Sequence, residues 1–465
     1  METLSLPEIL DVGTPDIENQ GFVSRQSFSR VFASGKPAVP MNITHFTNTY
    51  LPHVGGVARS VSTFVEAQER SGHTVKVIAP EYKLPKDYQP IPNVTRMPAI
   101  QNFNGSDFAL PLPATAKVRA SLDAFQPQIL HAHHPFLLGD TAYREAEKRD
   151  IPIVFTHHTR YEDYTHYVPI DNSVFKRFII ELSTEFANLC DGVVAPSQTI
   201  ADLIRERGVT APIAAIPTGI DLERFKGGSG QKFREELNID PHAPVLGHLG
   251  RLAEEKNIEF LARAIGYALF ANKQAHCVVA GSGKQAYMLE RYAEEAGCRN
   301  RLHLVGVLQG DALADCYAAM DVFVFSSLSE TQGLVLAEAM AAETAVVALK
   351  AAGANECVVD GENGFLLDTD SVPGDFAAKV LSILETPDRC RKMQAAALHK
   401  AREFDKTLCN QKLIDFYKQT MERFADVQRD ENAQQPMEHL LKRIQAEWKL
   451  VSMKIEAMSD ALHSD

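Results

Sequence analysis

One stretch, residues 322–342, constrains most strongly what this chain can fold into. It opens with Val322 to Phe325, an apolar, β-branched and aromatic run that predicts a buried strand. A polar loop follows at 326–333, and apolar residues then recur at the spacing of a helix. In open α/β sheets, ligands bind where a strand end meets the next helix, since unpaired N–H groups and the helix dipole attract anions there. The stretch therefore predicts an α/β fold with a ligand site after residue 325.

Two glutamates in this stretch, Glu330 in the loop and Glu338 in the helix, have seven residues between them. A carboxylate next to a phosphate is repelled, so we interpret the pair as holding the hydroxyl groups of a sugar or a ribose. Two glutamates at this spacing alone fit a solvated helix face equally well. The pattern resembles the E-x7-E signature of retaining glycosyltransferases of family 4, and the resemblance extends over residues 41–425.

That resemblance implies a GT-B architecture, in which two Rossmann-like α/β domains face each other across a cleft. It implies that Glu330 holds the transferred sugar and that Glu338 holds the ribose of the nucleotide. It also implies that the donor is bound by the loop and first helical residue after Glu330, namely Thr331, Gln332, Gly333 and Leu334.

Length and composition limit the class of protein. A chain of 465 residues predicts two domains. The net charge of −13 argues against a nucleic-acid partner. No apolar run reaches the length of a transmembrane helix, and the acidic first residues do not form a secretory signal. The seven cysteines include no C-x-x-C pair, so we expect a cytoplasmic protein with reduced thiols.

The distribution of glycine, proline and apolar residues predicts where the domains begin and end. We predict a mobile N-terminal extension, an acceptor domain, a nucleotide-sugar domain, a helix that returns to the first domain, and a linker followed by a heptad-patterned helix. The corresponding ranges are 1–40, 41–225, 226–401, 402–425 and 426–465.

The predicted acceptor domain carries a glycine pair, Gly55 and Gly56, between a strand and a helix. This geometry suits a backbone approach to phosphate, and a tight turn without a ligand is the alternative. The resemblance places the pair near the donor diphosphate. Two further predicted strands end in histidine-bearing segments at 131–134 and 157–158, where residues of an open sheet face the ligand crevice.

The segment from 157 to 167 resembles diacylglycerol glucosyltransferases, which share its Tyr-Glu-Asp-Tyr-Thr-His-Tyr run. The resemblance implies that His133 lies beside the transferred sugar. It implies that the acceptor is bordered by His158, Tyr161, Tyr164 and His166. One departure is His134, which stands where the family has an acidic or small residue. Zinc bound by histidines of adjacent strands is an alternative, but no cysteine or carboxylate set completes such a site.

The predicted nucleotide-sugar domain opens with a strand and then Arg251 and Lys256. In the family these residues hold the donor diphosphate, and fixed cations suit the charge that develops on a departing diphosphate. A surface basic pair is the alternative. Gly281 and Gly283 predict a β-to-α turn near the nucleotide. The D-x-D pattern at 368–370 follows the last strand, away from this site, and we reject it as a metal motif.

We therefore predict a retaining glycosyltransferase that moves a hexose, glucose from UDP-glucose, to an acceptor hydroxyl. A membrane lipid of the diacylglycerol type is the candidate acceptor, with a peripheral position on the inner face of the membrane. No metal or other cofactor is expected. A nucleotide-sugar epimerase, a glycosyl phosphorylase or a non-catalytic scaffold of the same fold are the alternatives.

The last predicted helix carries apolar residues in steps of four and three from Met437 to Leu462, which is a heptad seam. A narrow stripe of this kind needs a partner, because isolated helices of this length are marginal in water. We expect a second copy of the chain, which gives a homo-oligomer. The chain's own body and a membrane are the alternatives.

Overall fold

The structure, a computed structural model, describes residues 39–53, 55–83, 89–102, 109–112, 114–158, 160, 172–431, 449–450 and 453–454. Several predictions fall outside these residues. They concern residues 1–38 of the N-terminal extension, the acceptor-side residues Tyr161, Tyr164 and His166, and every apolar position of the heptad seam.

The first half of the chain forms a seven-stranded parallel sheet in the order β3-β2-β1-β6-β7-β8-β9. A separate, short antiparallel pair, β4 and β5, comes between β3 and β6 in the sequence. The strands are β1 (Asn42–Phe46), β2 (Thr74–Pro80), β3 (Val94–Met97), β4 (Ala99–Ile100), β5 (Leu110–Pro111), β6 (Ile129–Ala132), β7 (Ile153–Thr156), β8 (Gly192–Ala195) and β9 (Ile213–Ala215).

The second half forms a six-stranded parallel sheet in the order β12-β11-β10-β13-β14-β15. Its strands are β10 (Val245–Leu249), β11 (His276–Ala280), β12 (Leu302–Gly306), β13 (Val322–Phe325), β14 (Ala345–Leu349) and β15 (Gly364–Leu367). All residues of β13 and β14 are buried, because helices cover both faces of a parallel sheet. This burial on both faces explains why the two strands are continuous apolar runs in the sequence.

Helices connect the strands and pack on the faces of the sheets. Those of the first half are α1 (Gly56–Arg70), α2 (Thr115–Phe125), α3 (Leu138–Arg149), α4 (Asn172–Asn188) and α5 (Gln198–Glu206). Those that follow are α6 (Leu222–Lys226), α7 (Gly230–Glu236), α8 (Ile258–Ala271), α9 (Ala286–Glu295), α10 (Asp311–Ala318), α11 (Leu334–Ala341), α12 (Ala352–Cys357), α13 (Pro373–Leu384), α14 (Pro387–Ala401) and α15 (Lys406–Glu431). Short 3-10 helices span Glu254–Lys256, Arg299–Arg301 and Arg402–Phe404.

Strand order reverses once in each sheet, between β1 and β6 in the first and between β10 and β13 in the second. Such a reversal opens a crevice at the carboxyl ends of the strands, where ligands of α/β proteins bind. Loops that carry predicted site residues leave these strands, including Gly55 after β1, His133 after β6, Arg251 after β10 and Glu330 after β13. The two Rossmann-like sheets confirm the predicted fold class.

The helix α15 returns to the first sheet. Its residues Leu413, Phe416 and Tyr417 are buried in one cluster with Ile43 of β1. The helix continues to Glu431, so the predicted linker from residue 426 is wrong over its first residues. Residues 426–431 contain no glycine or proline, and Arg, Gln and Glu are good helix formers, so nothing stops the helix there.

The described part of the C-terminal tail packs on the chain's own body, which was one of the alternatives. Leu450 and Met453 are 1% and 2% exposed and belong to the core cluster of the first sheet. Lys454 Nζ lies 2.5 Å from Asp140 Oδ2 of α3. Neither Leu450 nor Met453 belongs to the predicted heptad seam, so self-association through that seam stays a prediction.

Ending the chain at Glu431 is expected to lower the free energy of unfolding, and the mass of the particle tests the predicted self-association separately. Burying a leucine or methionine side chain stabilises a protein by about 1.5–3 kcal/mol, so losing Leu450 and Met453 removes up to about 6 kcal/mol. Denaturant unfolding and light scattering measure the two quantities, and Lys449→Ala, at an exposed neighbour, is the control. Unchanged stability together with a halved mass would show that the tail joins two chains instead.

Among the described residues, no helix combines the length and the apolar composition needed to cross a membrane.

Candidate active site

The loop between β13 and α11 is held by its glycine. Gly333 precedes the first turn of α11 with a φ of +72°, a conformation that favours glycine. A Cβ there would come within 2.7 Å of the carbonyl oxygen of Gly353 and 3.0 Å of Cys357 Sγ. The glycine therefore lets α12 pack closely against the loop, and donor binding by Gly333 stays a prediction. This packing fixes the amide groups at the start of α11.

Glu330 lies in this loop and forms an ion pair with Lys256. Lys256 Nζ is 3.1 Å from Glu330 Oε2 and also donates to Ser327 Oγ at 3.4 Å. The other carboxylate oxygen of Glu330 accepts the N–H of Gly333 at 3.3 Å. The Lys256 side chain is only 16% exposed, so both partners are held in place before any ligand arrives. The two predicted residues therefore form one unit.

Arg251 has a different environment. Its side chain is 60% exposed and lies 2.8 Å from Glu255. The loop that carries it packs against the β11–α9 turn, where a Cβ on Gly281 would come within 1.9 Å of the carbonyl oxygen of Gly250. Likewise, a Cβ on Gly283 would come within 2.2 Å of the carbonyl oxygen of Leu252. These two glycines thus support the Arg251 loop through close backbone packing.

Glu338 is completely buried, so the alternative of a solvated helix face is wrong for this residue. Its Oε2 accepts the hydroxyl of Tyr317 at 2.9 Å, and its Oε1 accepts a guanidinium N–H of Arg59 from α1. Burial raises the pKa of the Glu338 carboxyl, and the Arg59 charge and the hydrogen bonds oppose that rise. Glu338 is therefore held by one residue from each half of the chain.

The histidines at the ends of the first-sheet strands form one buried chain of hydrogen bonds. His133 Nε2 lies 2.8 Å from His45 Nδ1, and His133 Nδ1 lies 2.8 Å from His158 Nε2. His45 Nε2 in turn lies 2.8 Å from Gln68 Oε1. Burial lowers the pKa of His45 to about 4 and holds the pKa values of His133 and His158 well below their usual range. The chain is therefore neutral at physiological pH.

Gln68 fixes the direction of this chain. A carbonyl oxygen can only accept a hydrogen bond, so His45 Nε2 carries the proton and its Nδ1 accepts one from His133 Nε2. His133 Nδ1 then accepts from His158 Nε2. Both ring nitrogens of His133 are thus engaged by other histidines, and His158 Nδ1 is the terminal acceptor of the chain.

Three histidines of the first sheet lie close enough together to be considered as ligands of the alternative zinc site. The ring nitrogens of His45, His131 and His133 include a set within 4.8 Å of one another. Each of these nitrogens already has a hydrogen-bond partner, since His131 bonds Tyr417 OH and Thr156 Oγ1 at 2.6 Å each. A metal ion would have to replace at least one hydrogen bond per ligand, so the residues fit the hydrogen-bonded network better.

Contacts between the two halves of the chain bring the sites together. Thr331 Oγ1 donates to the carbonyl oxygen of His158 at 3.1 Å, which joins the donor loop to the end of the histidine chain. The N–H of Thr218 donates to Gln332 Oε1 at 3.2 Å. Gly56 has open space beside it, since a Cβ there would meet no atom within 4 Å. The donor loop after β13 therefore lies against the end of β7 at His158 and against Thr218 of the first half.

Several residues that complete this site were not predicted from the sequence, namely His45, Arg59, Gln68, Tyr317 and Tyr417. One of them had a visible signal: Arg59 follows the glycine pair within one helical turn. The others are ordinary core positions in the sequence, and only the packing of distant segments brings them to the site.

Family models match both halves of the chain: the model described as Glycosyltransferase Family 4 covers residues 54–224, and the model described as Glycosyl transferases group 1 covers residues 229–400. An alpha-monoglucosyldiacylglycerol synthase of Streptococcus pneumoniae (strain ATCC BAA-255 / R6) is 30% identical over 75% of this chain and 79% of its own length. This chain belongs to glycosyltransferase family 4. The enzyme is thus a glycosyltransferase, which the sequence predicted over an epimerase, a phosphorylase or a scaffold.

Other relatives of this glycosyltransferase carry different names. A GDP-mannose-dependent alpha-mannosyltransferase of Corynebacterium glutamicum is 29% identical over 80% of the chain and 88% of its own length. Among solved structures, a sucrose-phosphate synthase from Thermosynechococcus elongatus superposes with a TM-score of 0.67 and 21% identity, covering 82% of this chain and 98% of its own. That similarity supports the GT-B fold.

Proposed function

We propose that this glycosyltransferase moves glucose from UDP-glucose to a hydroxyl group of a diacylglycerol-type lipid, with retention at the anomeric carbon and without a metal cofactor. The observation that carries the proposal is the cleft in which a Lys256–Glu330 pair and the buried Glu338 meet the histidine chain through the Thr331–His158 contact. The names of two relatives, both alpha-monoglucosyldiacylglycerol synthases, support the acceptor class.

The roles follow from charge and position. As the bond between sugar and diphosphate breaks, negative charge grows on the diphosphate, and Lys256 and Arg251 stabilise it. Glu330 and the amides at the start of α11 hold the sugar, and Glu338 holds the ribose. The departing phosphate takes the proton of the acceptor hydroxyl, so retention needs no covalent bond to a side chain. A peripheral position on the membrane follows if the acceptor is a lipid.

The test is a panel of UDP-glucose, UDP-galactose and GDP-mannose, with nucleotide release measured with and without vesicles that contain diacylglycerol. The expected result is release from UDP-glucose that increases with diacylglycerol, with a glucosylated lipid as the product. A second candidate is mannosyl transfer from GDP-mannose, which the corynebacterial relative favours. Vesicle-dependent release from GDP-mannose alone would replace the first proposal by the second. Nucleotide release that does not change when the vesicles are added would contradict a lipid acceptor.

His133→Ala is expected to lower sugar transfer and donor hydrolysis about tenfold while nucleotide affinity stays unchanged. The substitution interrupts the hydrogen-bond chain between His45 and His158, and a lost neutral hydrogen bond costs on the order of 1 kcal/mol. The matched control is His303→Ala, because His303 pairs with His276 on the second sheet, at the strand ends away from the cleft. A parallel fall in nucleotide affinity would contradict the placement at the sugar. Loss of wild-type activity with a chelator, and its return with zinc, would support the metal alternative.

A further inference from the structure

Arg59 occupies a position that suits a phosphate ligand. It lies in the first turn of α1, three positions after Gly56, and no acidic side chain stands in that turn. The helix is 15 residues long, so its N-terminus carries the full dipole of a helix. The open space beside Gly56 gives a ligand access to the same turn.

The guanidinium of Arg59 nevertheless reaches away from its own turn. It crosses the cleft to Glu338 of α11, which lies 279 positions further along the chain. Its side chain is 45% exposed, while that of Glu338 is 0% exposed. Arg59 therefore stands between the buried carboxylate and the solvent of the cleft.

This contact occupies the oxygen that a ribose would need. Glu338 Oε2 is taken by the Tyr317 hydroxyl, and Oε1 is taken by Arg59. A ribose hydroxyl that binds Oε1 either shares this oxygen with Arg59 or replaces the Arg59 hydrogen bond. A guanidinium that loses its carboxylate and faces the solvent of the cleft is free to pair with another anion there, and a phosphate accepts charge-assisted hydrogen bonds from it.

The diphosphate of the donor is the anion that arrives together with the ribose. We propose that Arg59 is a third cation of the donor site, which pairs with Glu338 in the empty enzyme and turns to the diphosphate when ribose hydroxyls take its place. The inference rests on the proposed function for its ligand class, a nucleoside diphosphate. Arginine suits the exchange, since its planar fork matches a carboxylate and a phosphate equally well.

The competing explanation is that Arg59 only ties the two halves of the chain together. The two explanations differ in what the nucleoside and its diphosphate contribute. A tie would affect the binding of both ligands alike, because both need the closed cleft. A cation that turns to the diphosphate affects only the ligand that carries phosphate.

The experiment is calorimetric titration of the full chain with UDP and with uridine, for the wild type, Arg59→Gln and Arg59→Lys. Arg59→Gln is expected to weaken UDP binding by about 10- to 100-fold, since a hydrogen bond to a charged group contributes on the order of 1.5–3 kcal/mol. Uridine binding should stay the same or become tighter, because Glu338 no longer has to release a guanidinium. Arg59→Lys should recover part of the UDP affinity.

The control variant is Arg70→Ala on the same helix, whose exposed side chain pairs with Glu66. It should bind both ligands as the wild type does. Equal losses for UDP and uridine in Arg59→Gln, or no loss for either, would overturn the inference. If wild type binds GDP and not UDP, the donor assignment falls, and the same comparison of GDP with guanosine still decides the role of Arg59.

Discussion

Lys256→Ala is expected to reduce kcat by about 100- to 1,000-fold, the usual effect of removing one fixed electrostatic donor from a transition state. Lys256 is held by Glu330 and Ser327 in the cleft and is mostly buried, so its charge is in place before the reaction begins. Its contribution should grow as the diphosphate departs, and the donor KM should change much less than kcat.

Arg251→Ala should have a smaller effect than Lys256→Ala. The Arg251 side chain is 60% exposed and pairs with Glu255, so it is less firmly oriented and more strongly screened by water. Steady-state kinetics with the donor at several concentrations measures both effects. The control is Lys350→Ala, an exposed lysine of the same domain paired with Asp368. If neither Lys256→Ala nor Arg251→Ala changes turnover, the donor site has been assigned to the wrong loop.

Much of the fold could be predicted from the sequence, because its information is local. The strand Val322–Phe325 is a continuous apolar run because both faces of its sheet are covered. The polar loop and the helix after it could likewise be predicted from local sequence patterns. Parallel strands place their carboxyl ends on one edge of a sheet, so His133 could be assigned to the crevice of the first sheet, and Arg251 and Glu330 to that of the second, before any contact was known.

The partners of these residues could not be predicted, because they come from far along the chain. His131 meets Tyr417 across 286 positions, and Glu338 meets Arg59 across 279. Such contacts depend on how α15 and α1 pack against the two sheets. The sequence predicts the returning helix that carries Tyr417, but it gives no sign that the Tyr417 hydroxyl bonds His131. The same limit left Glu338 open between a solvated face and a buried site.

Glu330 of the donor loop and Glu338 of α11 are expected to affect catalysis in different ways when each is changed to glutamine. Glu338 is buried between Tyr317 and Arg59, and a ribose contact there is equal in the ground state and the transition state. Glu338→Gln should therefore raise the donor KM by about 10- to 100-fold, the value of a hydrogen bond to a charged group, with little change in kcat.

Glu330→Gln should lower kcat more than it raises the donor KM. The substitution removes the ion pair that orients Lys256 Nζ, so the cation is no longer fixed where charge develops. Because Glu330 and Lys256 act as a unit, Glu330→Gln combined with Lys256→Ala should cost less than the sum of the single changes. Glu356→Gln is the control, since Glu356 also bridges the halves of the chain, through Thr199, without lying in the donor loop. Identical kinetic profiles for Glu330→Gln and Glu338→Gln would refute the separate roles. Fully additive losses in the Glu330→Gln, Lys256→Ala double variant would show that Glu330 does not act through Lys256.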